Sequence, residues 1–143
     1  MSPIVLLDTN IISHIMRQPD GPAAKRANEL GVAERLCTSV VVQSELLFGL
    51  EKNPSKRIQS AYNVAMAGID VLPLENNVAP QYARIRAALE SGGKPIGAND
   101  LLIAAQALAL EATLVTDNET EFRRVPGLRV ENWLTNDDEA EDV

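Results

Sequence analysis

Short apolar runs alternate along this chain with longer stretches whose apolar positions recur at helical spacing. Ile4–Leu7 is an unbroken apolar run and predicts a buried strand, with a short helix over Asn10–Met16 behind it. "QPDGP" (18–22) breaks the chain, and a helix over about Ala23–Gly31 follows. Leu36-Cys37-Thr38 predicts a second strand, and Ser39 a natural N-cap for a helix from Val40 to about Lys52. Another helix follows Pro54, a residue suited to the first helical position. "IDVLPL" (69–74) predicts the third strand, and Val78–Leu89 an amphipathic helix ending at "SGG", with Gly92 or Gly93 as a left-handed cap. "NDLLIAAQALAL" (99–110) is apolar on nearly every face and predicts a buried helix. "ATLVT" (112–116), a short helix over 118–124 and "LRVEN" (128–132) complete the pattern. Strands separated by helices predict an α/β fold, with one five-stranded parallel sheet flanked by helices on both faces.

Composition changes that picture only at its edges. A chain of 143 residues that is 45% hydrophobic has enough apolar surface for one packed domain, expected over residues 1–135. The net charge of −7 taken alone argues against a nucleic-acid partner, but "NDDEAEDV" (136–143) carries five of the 20 acids. The remaining 15 acids face 13 bases, so the body is close to neutral and charge excludes nothing. The tail itself reads as acidic and disordered. No apolar run is long enough for a membrane span, and the N-terminus lacks an export signal. With Cys37 the lone cysteine, a cytoplasmic location is expected.

Several chemistries drop out. One histidine and one cysteine cannot build a zinc site, and His14 and Cys37 read as structural residues. There is no nucleophile elbow and no dinucleotide fingerprint. "GGKPIG" (92–97) fails as a phosphate loop, because Pro95 stands where a hydroxyl is needed and Ala88 where the first glycine belongs.

Carboxylates remain. Asp8 ends the first strand and Asp117 follows the fourth, so both belong to the rim beyond the strands' carboxyl ends. Asp100 is the only charge in the apolar helix 99–110, in its first turn. Glu45 is the only charge between Arg35 and Glu51. Singly these acids read as an Asx-turn, a turn residue, a helix cap and a salt-bridge partner. Jointly, four acids at one rim repel one another unless a cation is present. Oxygen-only ligands select a hard ion such as magnesium or manganese, which suits phosphodiester hydrolysis.

"LLDTN" (6–10), "TSVVVQSELLFGL" (38–50), "PIGANDLLIAAQAL" (95–108) and "LVTDNETEFRRVPGLRVENW" (114–133) resemble the four signature segments of PIN-domain ribonucleases, above all VapC-type toxins of toxin–antitoxin pairs. The resemblance implies a Mg2+- or Mn2+-dependent endoribonuclease and a homodimer. It also implies a VapB-like antitoxin whose C-terminal segment blocks the site, and operator DNA bound only through the toxin–antitoxin complex. Asp8, Glu45, Asp100 and Asp117 fall on the family's acidic positions. Asp8 and Asp100 are then the expected metal ligands, with Glu45 and Asp117 holding metal-bound waters, one of them the nucleophile. Many similar sequences have Asn at the position of Asp117. Glu121 matches the pattern as a further acid, and Thr9 and Asn10 match it too, either to fix Asp8, to touch a phosphate or only to form the turn.

Three basic groups offer RNA contacts: Arg84, Arg86 and Lys94; Lys52, Lys56 and Arg57; and Arg123 and Arg124. Aromatic residues are few, which favours RNA recognition by shape and phosphate over base stacking, with transfer RNA the leading expectation. Two other readings stand beside the nuclease. One is a phosphoaspartate enzyme using Asp8, weakened because Asn10 replaces the expected second acid. The other is a non-catalytic PIN-like scaffold for protein binding.

Overall fold

β1 (Ile4–Leu7) lies at the centre of a five-stranded sheet in a computed structural model that describes residues 3–30 and 33–134. Around it run β2 (Arg35–Ser39), β3 (Asp70–Leu72), β4 (Thr113–Val115) and β5 (Arg129–Glu131), in the spatial order β3-β2-β1-β4-β5. Every pairing is parallel, and Val5 sits opposite both Leu36 and Thr113. A parallel strand at mid-sheet is covered on both faces, which explains why β1 has no polar alternation and why Leu6 and Leu7 are fully buried.

The helices are α1 (Thr9–Arg17), α2 (Pro22–Leu30), α3 (Val40–Lys52), α4 (Lys56–Met66), α5 (Val78–Ser91), α6 (Ala98–Ala109) and α7 (Glu119–Phe122). From β1 the chain winds outward through β2 to β3, then returns across the sheet to β4 and β5. α1 packs against α2, α3 and α4, and α5 packs against α6. The reversal falls between β1 and β4, the topological switch point where α/β sheets open a crevice.

Most local expectations hold. The Ser39 hydroxyl accepts from the Val41 amide at 3.0 Å and starts α3. Gly93, at φ +73°, is the left-handed residue after α5. In α6, Ile103 through Ala107 are all buried, as expected for a helix apolar on nearly every face. One expectation needs correcting: Pro54 is not the first residue of α4. Ser55 caps that helix by accepting from the Ile58 amide at 3.2 Å, because a hydroxyl satisfies a free amide that proline leaves open. The tail 136–143 and the expected end of α2 at Gly31 lie outside the described residues.

Polar side chains tie the sheet's upper edge together. The Thr38 hydroxyl donates to the Leu7 carbonyl at 2.6 Å, fixing β2 to the last residue of β1. Buried Gln106 donates from α6 to the Leu72 and Pro73 carbonyls at 3.3 and 3.1 Å, which anchors the end of β3.

Candidate active site

The crevice between β1 and β4 begins at Asp8. Its amide continues the sheet ladder onto the Val115 carbonyl at 2.9 Å, so its position is set by β1 itself. Its carboxyl caps α1, with Oδ1 accepting from the Thr9 amide at 2.7 Å. Oδ2 accepts from the Thr116 hydroxyl at 2.8 Å, and that hydroxyl accepts in turn from the Asn118 amide at 3.0 Å. Asp8 is only 6% exposed, so both oxygens are held at the floor of the site.

The other acids arrive on different elements. Asp100 enters in the first turn of α6, behind the extended Gly97 that opens the helix. Glu45 projects from α3, half-buried. Glu121 lies on α7, where its carboxylate accepts from the Asn118 side-chain amide. Asp117 is exposed and accepts from the Asn10 side-chain amide at 3.1 Å. Asn10 thus fixes Asp117 rather than Asp8. Asp117 is also one residue further from its strand than Asp8, because Thr116 occupies the strand-end position and is fully buried.

These carboxyls feel one another. Burial pushes Asp8 above the usual carboxylate range, the Thr9 amide and Thr116 hydroxyl oppose this, and the charges of Asp117 and Glu121 add to it. Burial likewise raises Glu45, with Asp8 adding to the effect and the Thr9 hydroxyl opposing it. Asp100 is pushed up to about 7, first by burial, then by sharing a hydrogen bond with Glu121 and by the charges of Glu121, Asp8 and Glu45. Asp8, Glu45, Asp100 and Glu121 therefore form one electrostatic cluster, with Asp117 beside Asp8 at its edge. Glu121 is closer to the centre than its place in the sequence suggests, since a residue within a four-residue helix gives no sign of which way it faces.

No arginine or lysine neutralises this cluster among the described residues, whose ion pairs are Arg35–Asp70, Arg86–Glu90 and Arg123–Glu119. The Thr9 hydroxyl is buried there without a hydrogen bond of ordinary geometry. Uncompensated carboxyls and an orphaned oxygen are donors suited to a hard cation. Among the described residues no three acids, histidines or cysteines close around one point, so an all-protein cage is not formed. A hard cation here would take one or two carboxylates directly, with waters in the other positions.

His14 and Cys37 stay outside the site: Cys37 is buried in β2, and burial raises its thiol. Thr116, Asn118 and Thr38 are the residues that sequence reading passed over. "LVTDN" contains two of them, but a threonine after a strand gives no sign that its hydroxyl turns toward a distant aspartate.

The PIN domain family profile matches residues 5–128, nearly the whole described chain. The chain belongs to the PIN-domain family. It is 34% identical over 131 residues to Ribonuclease VapC2 of Rickettsia felis, a match covering 91% of this chain and 98% of that protein. It is 35% identical over 129 residues to the tRNA(fMet)-specific endonuclease VapC of Shigella flexneri, covering 90% and 96%. Among solved structures it is similar to a chain of VapBC2 from Rickettsia felis bound to a DNA fragment from their promoter. That match has a TM-score of 0.85 and 33% identity, over 91% of this chain and 98% of the other. The sequence resemblance and the parallel five-stranded fold are thus both established.

Proposed function

We propose that this chain is the toxin of a toxin–antitoxin pair and acts as a metal-dependent endoribonuclease on RNA phosphodiester bonds. The carrying observation is the cluster of Asp8, Glu45, Asp100 and Glu121 at the switch point, buried in part and without a basic partner among the described residues. PIN-domain ribonucleases generally depend on a divalent metal. Here Asp8 and Asp100 would hold it, and oxygen-only donors favour Mg2+ or Mn2+. When bound, the cation neutralises the carboxylates, positions the phosphodiester and lowers the pKa of an attacking water. Asp8 is pre-organised for this by Thr9 and Thr116, which fix both its oxygens. Glu45, Asp117 and Glu121 orient water around the reacting phosphate, and Asn10 keeps Asp117 turned to the rim.

The partner is a VapB-like antitoxin whose C-terminal segment covers the acids, and the pair binds operator DNA together. The VapBC complexes among the solved relatives support this. An apolar cleft of about 600 Å³, lined by Ile15, Met16, Ala27, Val64 and Ile69 among others, gives that partner a seat away from the acids. Phe48 and Leu47, exposed on α3, support a homodimer. No helix among the described residues is long and apolar enough to cross a membrane, and we place the pair in the cytoplasm. Residues 1–135 form the catalytic domain, with 136–143 as an acidic tail. Transfer RNA is the favoured substrate, on the strength of the Shigella flexneri relative.

The test is cleavage of structured RNA by antitoxin-free protein with Mg2+, with chelator, and with Asp8→Asn. Cleavage requires the metal and Asp8; activity that survives both treatments overturns the mechanism.

A further inference from the structure

An acidic crevice repels the backbone it has to cut, so an RNA crossing it needs cationic contacts at the rim. The sequence offers three basic groups, and the structure separates them by what each side chain already does. Arg86 is engaged by Glu90 and by the Tyr82 hydroxyl, both at 3.0 Å. Arg84 donates to Gln81 at 2.7 Å, and Arg123 to Glu119 at 2.7 Å. Lys52 ends α3 on the side away from Ser39, roughly 10 Å of helix beyond Glu45, and Lys56 and Arg57 follow it at the start of α4.

Arg124 differs from these in combining a free charge with a place one turn from the acid cluster. It forms no ion pair among the described residues. Its amide donates to the Glu121 carbonyl at 3.2 Å, which places it one turn beyond an acid of the cluster. Its Nη1 reaches across to the Lys94 carbonyl at 3.4 Å, in the loop that leads into α6 and Asp100. Its Nε is buried and makes no hydrogen bond, so this guanidinium keeps a donor without a partner. Lys94 itself is exposed beside it.

We infer that Arg124, with Lys94, is a clamp for a backbone phosphate of the RNA next to the scissile bond. The inference rests on the nuclease reading above and names the contact that lets a polyanion lie against an acidic site. A guanidinium is suited to this, because its planar fork takes two phosphate oxygens at once. The loop contact through Lys94 sets the distance between the clamp and Asp100, since both belong to the same approach to α6.

The experiment measures binding of a single-stranded oligoribonucleotide to the Asp8→Asn protein across a salt series, with cleavage by the Asp8-containing protein measured in parallel. Arg124→Ala should weaken binding about tenfold at low salt. It should also flatten the plot of log affinity against log salt by about 0.7 to 0.9, the share of one phosphate. Arg124→Lys should restore the slope, Lys94→Ala should have a smaller effect of the same sign, and Arg123→Ala should have none. In cleavage, KM should rise more than kcat falls. An unchanged slope in a folded Arg124→Ala protein overturns the clamp and leaves Arg124 as a latch between α7 and the loop. A slope lost in Arg124→Lys as well as in Arg124→Ala also overturns it, because charge is then not what matters. Protein that neither binds nor cuts RNA overturns the nuclease reading and the clamp with it.

Discussion

Two charged regions of this sheet have opposite logic. On β2 and β3, Arg35 and Asp70 pair at 3.2 Å with about half of each side chain in water (49% and 62% exposed). At the crevice between β1 and β4, Asp8, Asp100, Glu45 and Glu121 crowd together with like charge and partial burial. The first arrangement costs the fold little and contributes little, since an exposed ion pair is worth at most about 1 kcal/mol. The second works against the fold, and persists because its residues are held by backbone topology. Like charge gathered where an α/β sheet opens its crevice marks a functional site more reliably than the number of acids in the chain does.

The largest effect that separates these regions should come from Asp100→Asn. We expect RNA cleavage to fall roughly a hundredfold or more, read as single-turnover rate with Mg2+. The same variant should melt at a higher temperature in chelator, because one repelling charge is gone. A lower melting temperature would show that Asp100 is a structural residue.

Next comes pH. The folded-state pKa of Asp100, about 7, lies above the ordinary value of 3.8, so protons bind more tightly to the folded protein. The stability this group contributes is full below 3.8 and is lost as pH rises through about 7; Asp8 and Glu45 are raised and act in the same direction. In chelator, the contribution of this cluster should therefore decline from about pH 4 to about pH 8, and Asp100→Asn should flatten the decline. Mg2+ should raise the melting temperature at about pH 8 and hardly at all at about pH 5, because protonated carboxyls do not bind it. Equal shifts at both pH values would place the ion elsewhere.

Thr116→Val should have an intermediate effect. It removes a donor to Asp8 and an acceptor for the Asn118 amide, costing about 1–3 kcal/mol in denaturant unfolding. With Asp8 less firmly held, metal affinity by titration calorimetry should fall roughly tenfold or more. Arg35→Ala should be the smallest, below about 1 kcal/mol, with cleavage unchanged.

The reading of Asp8 shows how far sequence could go. An acid after an unbroken apolar run declares a strand end, and the rule that ligands bind at carboxyl ends places it on the right rim. Asp117 was assigned to the same position relative to β4, but the strand ends on Val115, Thr116 takes the place that Asp8 holds after β1, and the acid sits one residue outward with Asn10. Glu121 shows the reverse. Nothing in "DNETEF" marks which acid turns inward, and only the packing of Phe122 into the core settles how α7 faces. Pro54 illustrates a smaller failure, where two residues compete to open a helix and the hydroxyl prevails because it supplies an acceptor.

The sequence by itself determined the order and nature of the elements, because short apolar runs, helical periodicity and cap residues act over a few positions along the chain. It also showed that oxygen donors dominate the side chains at the sheet's rim, since one histidine and one cysteine leave few other donors. Tertiary structure alone decided which acids share a field, that Thr116 and Thr9 hold Asp8, and that Arg124 is left without an acid while Arg123 and Arg86 are neutralised. Those outcomes depend on distances between elements that are far apart in the chain, and the crossover that brings α6 and α7 back to β1 is what sets them.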